Sequence, residues 1–190
     1  MRETTNETVR IVGISGSLRR GSFSTELLRI LAKEGLPTIA IQVITLEEIP
    51  MYDKDLDCEP EIPAVAAFKR VIAESDGVLI VTPEYNHGIP GVLKNALDWT
   101  SGPVFGSCFR HKPVSIISST LALTGGVHAQ CQLRETLFSM QAHLVMGPEV
   151  VASGVHTNLA EDTYIDVNGL TFMLKSLHKL RDEILSRRVV

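Results

Sequence analysis

The sequence predicts an α/β fold, with one parallel five-stranded sheet and helices on both of its faces. Three observations predict it. Short apolar runs rich in branched residues recur at 9–14, 40–44, 78–81, 113–119 and from 143 onward. Between them apolar residues return at helical spacing. Polar, glycine-bearing loops follow the first, third and fourth runs. Strands that alternate with helices in this way pair in parallel through right-handed crossovers.

In chain order, residues 1–8 read as a frayed tail ahead of a single domain over 9–190. The first strand breaks into Ser15-Gly16-Ser17-Leu18-Arg19-Arg20-Gly21-Ser22-Phe23-Ser24. Leu27, Leu28 and Leu31 then mark a helix with Ser22 or Ser24 near its cap. After the second strand, 46–56 reads as an acidic loop containing Pro50. Pro60 and Pro63 bracket the start of a helix that places Val65, Phe68 and Ile72 on one face. The third strand empties into Thr82-Pro83-Glu84-Tyr85-Asn86-His87-Gly88-Ile89-Pro90-Gly91, and Leu93, Ala96, Leu97 and Thr100 follow at helical spacing. Residues 101–111 form a loop. The fourth strand leads into Thr120-Leu121-Ala122-Leu123-Thr124-Gly125-Gly126 and a helix with Leu133, Leu137 and Met140. The fifth strand covers 143–146 and extends toward Val150 and Val151; 156–168 is polar and irregular. Met173, Leu177, Leu180 and Ile184 mark a last amphipathic helix, with Arg181, Arg187 and Arg188 suited to its C-terminus.

Composition narrows the function classes. At 44% hydrophobic and 21% charged residues the chain is globular. A net charge of -4, with no basic patch beyond Arg187-Arg188, argues against a nucleic-acid binder. No apolar run approaches the roughly 20 residues that span a bilayer. No secretory pattern opens the sequence, so a cytoplasmic protein without a membrane partner is expected. Cys58, Cys108 and Cys131 are odd in number and widely spaced, so free thiols and no metal site are expected.

The loop at 15–24 follows a strand and opens a helix, which is the design of a phosphate site: helix N-terminal amides and serine hydroxyls donate, and Arg adds charge. Its glycines fit neither the dinucleotide nor the P-loop spacing, which leaves a mononucleotide phosphate or a plain capped turn. In the loop at 82–91, two prolines fix φ and two glycines allow close approach, so Pro83 to Asn86 suits a flat ligand; a tight connecting turn is the plainer alternative.

Residues 83–99, Pro-Glu-Tyr-Asn-His-Gly-Ile-Pro-Gly-Val-Leu-Lys-Asn-Ala-Leu-Asp-Trp, resemble the signature of the NADPH-dependent FMN reductase family, which includes chromate and quinone reductases. Gly16-Ser17-Leu18-Arg19, a further Arg and Gly21-Ser22-Phe23 resemble its first loop. The resemblance implies a flavodoxin-like three-layer fold with strand order 2-1-3-4-5 and FMN at the switch point between strands one and three. By it, Ser15, Ser17, Arg19, Ser22 and Ser24 hold the FMN phosphate. Pro83, Glu84, Tyr85 and Asn86 lie along the ring, and Ser118, Thr124, Gly125 and Gly126 border it, with backbone amides of 84–86 and 124–126 as donors. His128 stands where the family usually has Arg. Glu84 has three roles open: facing solvent, capping the next helix, or meeting the ring edge. Tyr52 lines the substrate mouth or packs on Pro50, and Trp99 belongs to the core or an interface, with a stack on the flavin as the alternative.

The implied reaction passes hydride from NADPH or NADH to the flavin and then electrons to a quinone, chromate, an azo compound or free flavin, with no protein nucleophile. A homodimer or homotetramer is implied. The alternative is a flavodoxin-type electron carrier or flavin-bound redox sensor; Arg19, Arg20 and the mild net charge favour the reductase.

Overall fold

The computed structural model describes residues 7–35, 37–58, 61–102, 106–160 and 163–188. The expected tail up to residue 6, Pro60 and residues 103–105 of the expected loop lie outside them. The first four strands are β1 (Val9–Ser15), β2 (Ile39–Ile44), β3 (Gly77–Thr82) and β4 (Pro113–Ser119). β3 and β4 are buried at every position and β1 at all but Arg10. A strand apolar on both faces must be covered on both, so these three form the middle of the sheet. β2, only partly buried, is an edge.

All pairings in this sheet are parallel: β1 with β2 and β3, and β3 with β4. The order is 2-1-3-4-5, the flavodoxin-like arrangement. The fifth position holds two segments, β5 (His143–Leu144) against the start of β4 and β6 (Val150–Ala152) against its end. Gly147-Pro148 lies in the break, where Pro has no N–H to give the ladder. A cavity of about 210 Å³ opens there beside Arg134, Phe172 and Lys179, away from every expected site residue.

The helices are α1 (Phe23–Glu34), α2 (Pro63–Glu74), α3 (Gly91–Ser101), α4 (Val127–Ser139), α5 (Val155–Asn158) and α6 (Val167–Arg188). Alternation along the strands sorts them into two layers. Ile11, Leu79 and Val81 pack with Leu27, Leu31, Leu177 and Ile184 of α1 and α6. Val12, Ile14, Val78 and Ile80 pack with Ile72, Leu93, Leu97 and Leu133 of α2, α3 and α4. The segment expected to be irregular contains α5 and an antiparallel pair, β7 (Leu159–Ala160) with β8 (Thr163–Tyr164), and α6 begins well before Met173. Elements of two to four residues are shorter than any periodicity can mark, and the first turns of α6 bury little.

The amino end of the sheet is fastened by Asp76. Its carboxylate accepts the Arg10 backbone N–H at 2.6 Å and pairs with Arg188 of α6 at 2.5 Å. Burial alone would raise this carboxyl; the Arg10 N–H and the Arg188 guanidinium outweigh it and hold it below the usual range. A depressed carboxyl contributes stability above its unfolded value of about 3.9, lost as pH falls through the folded one. Asp76→Asn is therefore expected to lower unfolding free energy by about 1–2 kcal/mol at neutral pH, with the deficit closing below about pH 4, in urea melts across pH.

At the carboxyl end, β1 and β3 meet closely. The Gly16 N–H donates to Val81 O at 2.8 Å, and a Cβ on Gly16 would lie 2.5 Å from Thr82 Oγ1 and 3.1 Å from Thr82 Cα. Gly16→Ala should force the first loop off β3 and cost about 1–3 kcal/mol, read from the shift in urea midpoint. An unchanged midpoint would contradict the close approach.

Candidate functional site

The first polar loop ends at the N-terminus of α1. Ser22 is the cap residue, with extended φ of −71° and ψ of 117°, and its Oγ accepts from the Thr25 N–H at 3.3 Å. Phe23 and Ser24 carry the next two amides of the helix, and neither has an acceptor among the described residues. These amides border a cavity of about 240 Å³. Of the expected residues, Ser17, Arg19, Ser22, Ser24, Pro83, Glu84 and Tyr85 line it. The Arg19 guanidinium lies 5.5 Å from the centroid of the Phe23 ring, which keeps this cation beside the helix end.

Phe23, Ser119, Thr120, Leu121, Ala122 and Val155 also line the cavity and were not singled out from the sequence. The third polar loop was legible, but its two halves do different things. The near half, 119–122, faces the cavity. Ser119 Oγ and Ser24 Oγ are 2.7 Å apart and tie β4 to α1. Thr120 is held by Ala152 and Val155 through backbone bonds of 3.1 Å. The position of Ser119, at the carboxyl end of a buried strand, was the available signal.

The far half turns the chain into α4. Thr124, Gly125 and Gly126 do not line the cavity. Gly125 and Gly126 have φ of +72° and +79°, and a Cβ on Gly126 would lie 2.9 Å from Ser118 Cβ. Ser118 is itself fully buried: its hydroxyl donates to Gly125 O and accepts from Gln130 Nε2 at 2.9 Å. It braces the loop from behind. Ser15 is likewise buried, with its hydroxyl 2.7 Å from that of Thr25, so it fixes the first turn of α1 rather than lining the cavity.

The loop after β3 is built on a tight turn. Tyr85 N–H donates to Gly88 O at 2.9 Å and Gly88 N–H to Tyr85 O at 3.1 Å. Asn86 and His87 between them have φ of +50° and +62°, the positive pair of a type I′ turn, in which Asn and His are tolerated. The Tyr85 amide is thus committed within the protein, a correction to the expectation that 84–86 all donate outward. Asn86 is exposed at the turn and outside the cavity lining. Gln132 of α4 fixes the end of the turn by accepting the Ile89 N–H at 2.7 Å.

Glu84 takes a fourth role. Its Oε2 accepts the Ala129 N–H at 3.1 Å, so it caps α4, a helix 45 positions on. Its charge is directed to the positive end of that helix. Tyr52 stacks edge-on against Trp99, ring centroids 5.0 Å apart. Trp99 is buried and its indole N–H donates to Pro50 O at 2.8 Å, while Asn95 bonds both Pro50 O and the Tyr52 N–H. Lys94 and Asp98 pair on α3 at 2.5 Å. The three cysteines are free, as expected. Burial pushes the Cys108 thiol up to about 11, which keeps it protonated and unreactive at neutral pH.

The geometry is therefore a cavity at the carboxyl end of β1, β3 and β4, with unpaired helix amides, hydroxyls and a cation at one end and Tyr85 and Leu121 at its open side. Comparison with known proteins gives the family. The pattern that defines the NADPH-dependent FMN reductases matches residues 9–157. A 2-hydroxy-1,4-benzoquinone reductase of a Burkholderia species is 38% identical over 162 residues, covering 85% of this chain and 84% of that protein. The quinone reductase of Escherichia coli K12 is 36% identical over 164 residues, covering 83% and 85%. Among solved structures, the flavoenzyme NAD(P)H:(acceptor) oxidoreductase FerB of Paracoccus denitrificans superposes with a TM-score of 0.83 at 26% identity, over 94% of this chain and 98% of that one. The chain belongs to the NADPH-dependent FMN reductase family.

Proposed function

We propose that this protein is an FMN-dependent NAD(P)H oxidoreductase with a quinone-class acceptor. The observation that carries the reading is the meeting, in one cavity, of the unpaired Phe23 and Ser24 amides, the Ser17 and Ser22 hydroxyls and Arg19. Those donors fit a phosphate: all are neutral or cationic, and the one acid lining the cavity, Glu84, is turned to the N-terminus of α4. The quinone class is supported by the names of the two relatives, and the donor by that of the family.

When bound, FMN would supply a two-step exchange, from NADPH or NADH to the flavin and from the flavin to the acceptor. The chain's own residues hold and orient it. Ser17, Ser22 and Arg19 would bind the phosphate with the α1 amides, and Ser24 with Ser119 would define the depth of the cavity. At about 240 Å³ the cavity is smaller than the roughly 300–1,000 Å³ typical of enclosed ligand sites, so the ring system would lie at the open side against Pro83, Tyr85 and Leu121. An open ring face suits alternate access by nicotinamide and acceptor. Leu121 at the cavity and Leu123 farther along the same loop are 57% and 94% exposed, apolar surface that a second copy of the chain in a homodimer or homotetramer would cover.

Two measurements test the proposal. Anaerobic addition of NADPH to the FMN-loaded protein should bleach the flavin bands, and a benzoquinone should restore them. Bands that persist until dithionite is added would favour an electron carrier. Arg19→Ala should weaken FMN binding to the apoprotein by about 1.5–3 kcal/mol, roughly tenfold or more, with the fold retained. Equal affinity in the two proteins would remove Arg19 from the phosphate site.

A further inference from the structure

The turn that follows β3 brings two imidazoles and a carboxylate together. His87, at the positive-φ position of the turn, and His128, in the first turn of α4, are in edge-to-face contact with centroids 4.6 Å apart. Neither makes a hydrogen bond or ion pair with another described residue. Glu84 stands beside them, and one potential ligand atom from each of the three lies within 4.8 Å of the others. These positions are 84, 87 and 128, so no linear spacing in the sequence marks them.

We propose that Glu84, His87 and His128 form a binding site for a divalent first-row metal ion of the zinc class. Two neutral imidazoles and one carboxylate are a donor set that zinc accepts, leaving a fourth position for water. Zinc–ligand bonds of about 2.0–2.1 Å set tetrahedral ligands about 3.3 Å apart, so the site closes by movements on the order of 1 Å in two exposed side chains.

The supports of the ligands are already in place. Glu84 Oε2 accepts the Ala129 N–H, which orients the carboxylate and leaves Oε1 for the ion. The turn bearing His87 is closed by both Tyr85–Gly88 backbone bonds and anchored to α4 by Gln132, one helical turn beyond His128. His87 and His128 therefore come from two elements whose separation is fixed independently of any ion. With no other hydrogen-bond partner for either ring among the described residues, a bound cation would satisfy lone pairs that they leave unused. The ion would join the loop after β3 to the N-terminus of α4.

The test is calorimetric titration of zinc chloride into the full-length, tag-free protein, FMN-loaded and apo, with His87→Asn, His128→Arg and Cys131→Ser variants. Asn tolerates the left-handed backbone at position 87, so that variant preserves the turn. The expected result is one zinc ion per chain, affinity at least tenfold weaker in each histidine variant, and no change in Cys131→Ser. The absence of saturable stoichiometric binding would overturn the proposal. So would binding that survives both histidine substitutions, or binding lost only with Cys131, since the ion would then be held elsewhere.

Discussion

The close approach of β1 and β3 at their carboxyl ends is the constraint on which the rest of the site depends. Both strands are buried on two faces and lie side by side in parallel, but the chain leaves them toward opposite layers, to α1 and to α3. A crevice opens wherever neighbouring strands part in this way. Its width here is set by Gly16 against Thr82, where no side chain larger than hydrogen fits without displacement. That contact brings the N-terminus of α1 and the loop after β3 to one place. Without it the hydroxyls of the first loop and the rigid turn at Tyr85 would belong to separate surfaces.

Around this junction the polar residues divide into those that face the cavity and those that brace it. Ser15, Ser118 and Gln130 are fully buried, and each finds its partner inside the protein. Gln130 alone ties Ser118, Val150 and, through its carbonyl oxygen, Arg134 into one network. Satisfied groups of this kind stiffen a loop without offering anything to a ligand. Ser17, Ser22 and the first amides of α1 lie one step outward and remain available. Glu84 belongs to both sets: its side chain lines the cavity while its charge is spent on α4.

The same division explains how much the sequence revealed. Five strand positions and the two main loops follow from period, branching and glycine placement, whereas the order 2-1-3-4-5 is implied only by the family resemblance; all are present. A serine cap, Ser22 or Ser24, and Arg19 beside it could be read because capping and charge are local properties, and the cap is Ser22. What could not be read depends on contacts distant in sequence. Ser118 and Ser119 are adjacent serines of one strand, and only the sheet's pleat decides that one faces Gln130 and the other Ser24. Gly125 and Gly126 resemble ligand-contacting glycines, but their positive φ serves the turn into α4. Glu84 capping a helix 45 residues away, and His87 meeting His128, have no local signature.

On the reading proposed above, the α1 N-terminus with Ser17, Arg19 and Ser22 recognises the phosphate of FMN. Titrating the apoprotein with FMN and with riboflavin, which differ by that group alone, tests it most directly. FMN should bind at least tenfold more tightly, and Arg19→Ala should remove much of the difference. Equal affinities for the two flavins would contradict it and would place the recognition of the cofactor elsewhere on the sheet edge.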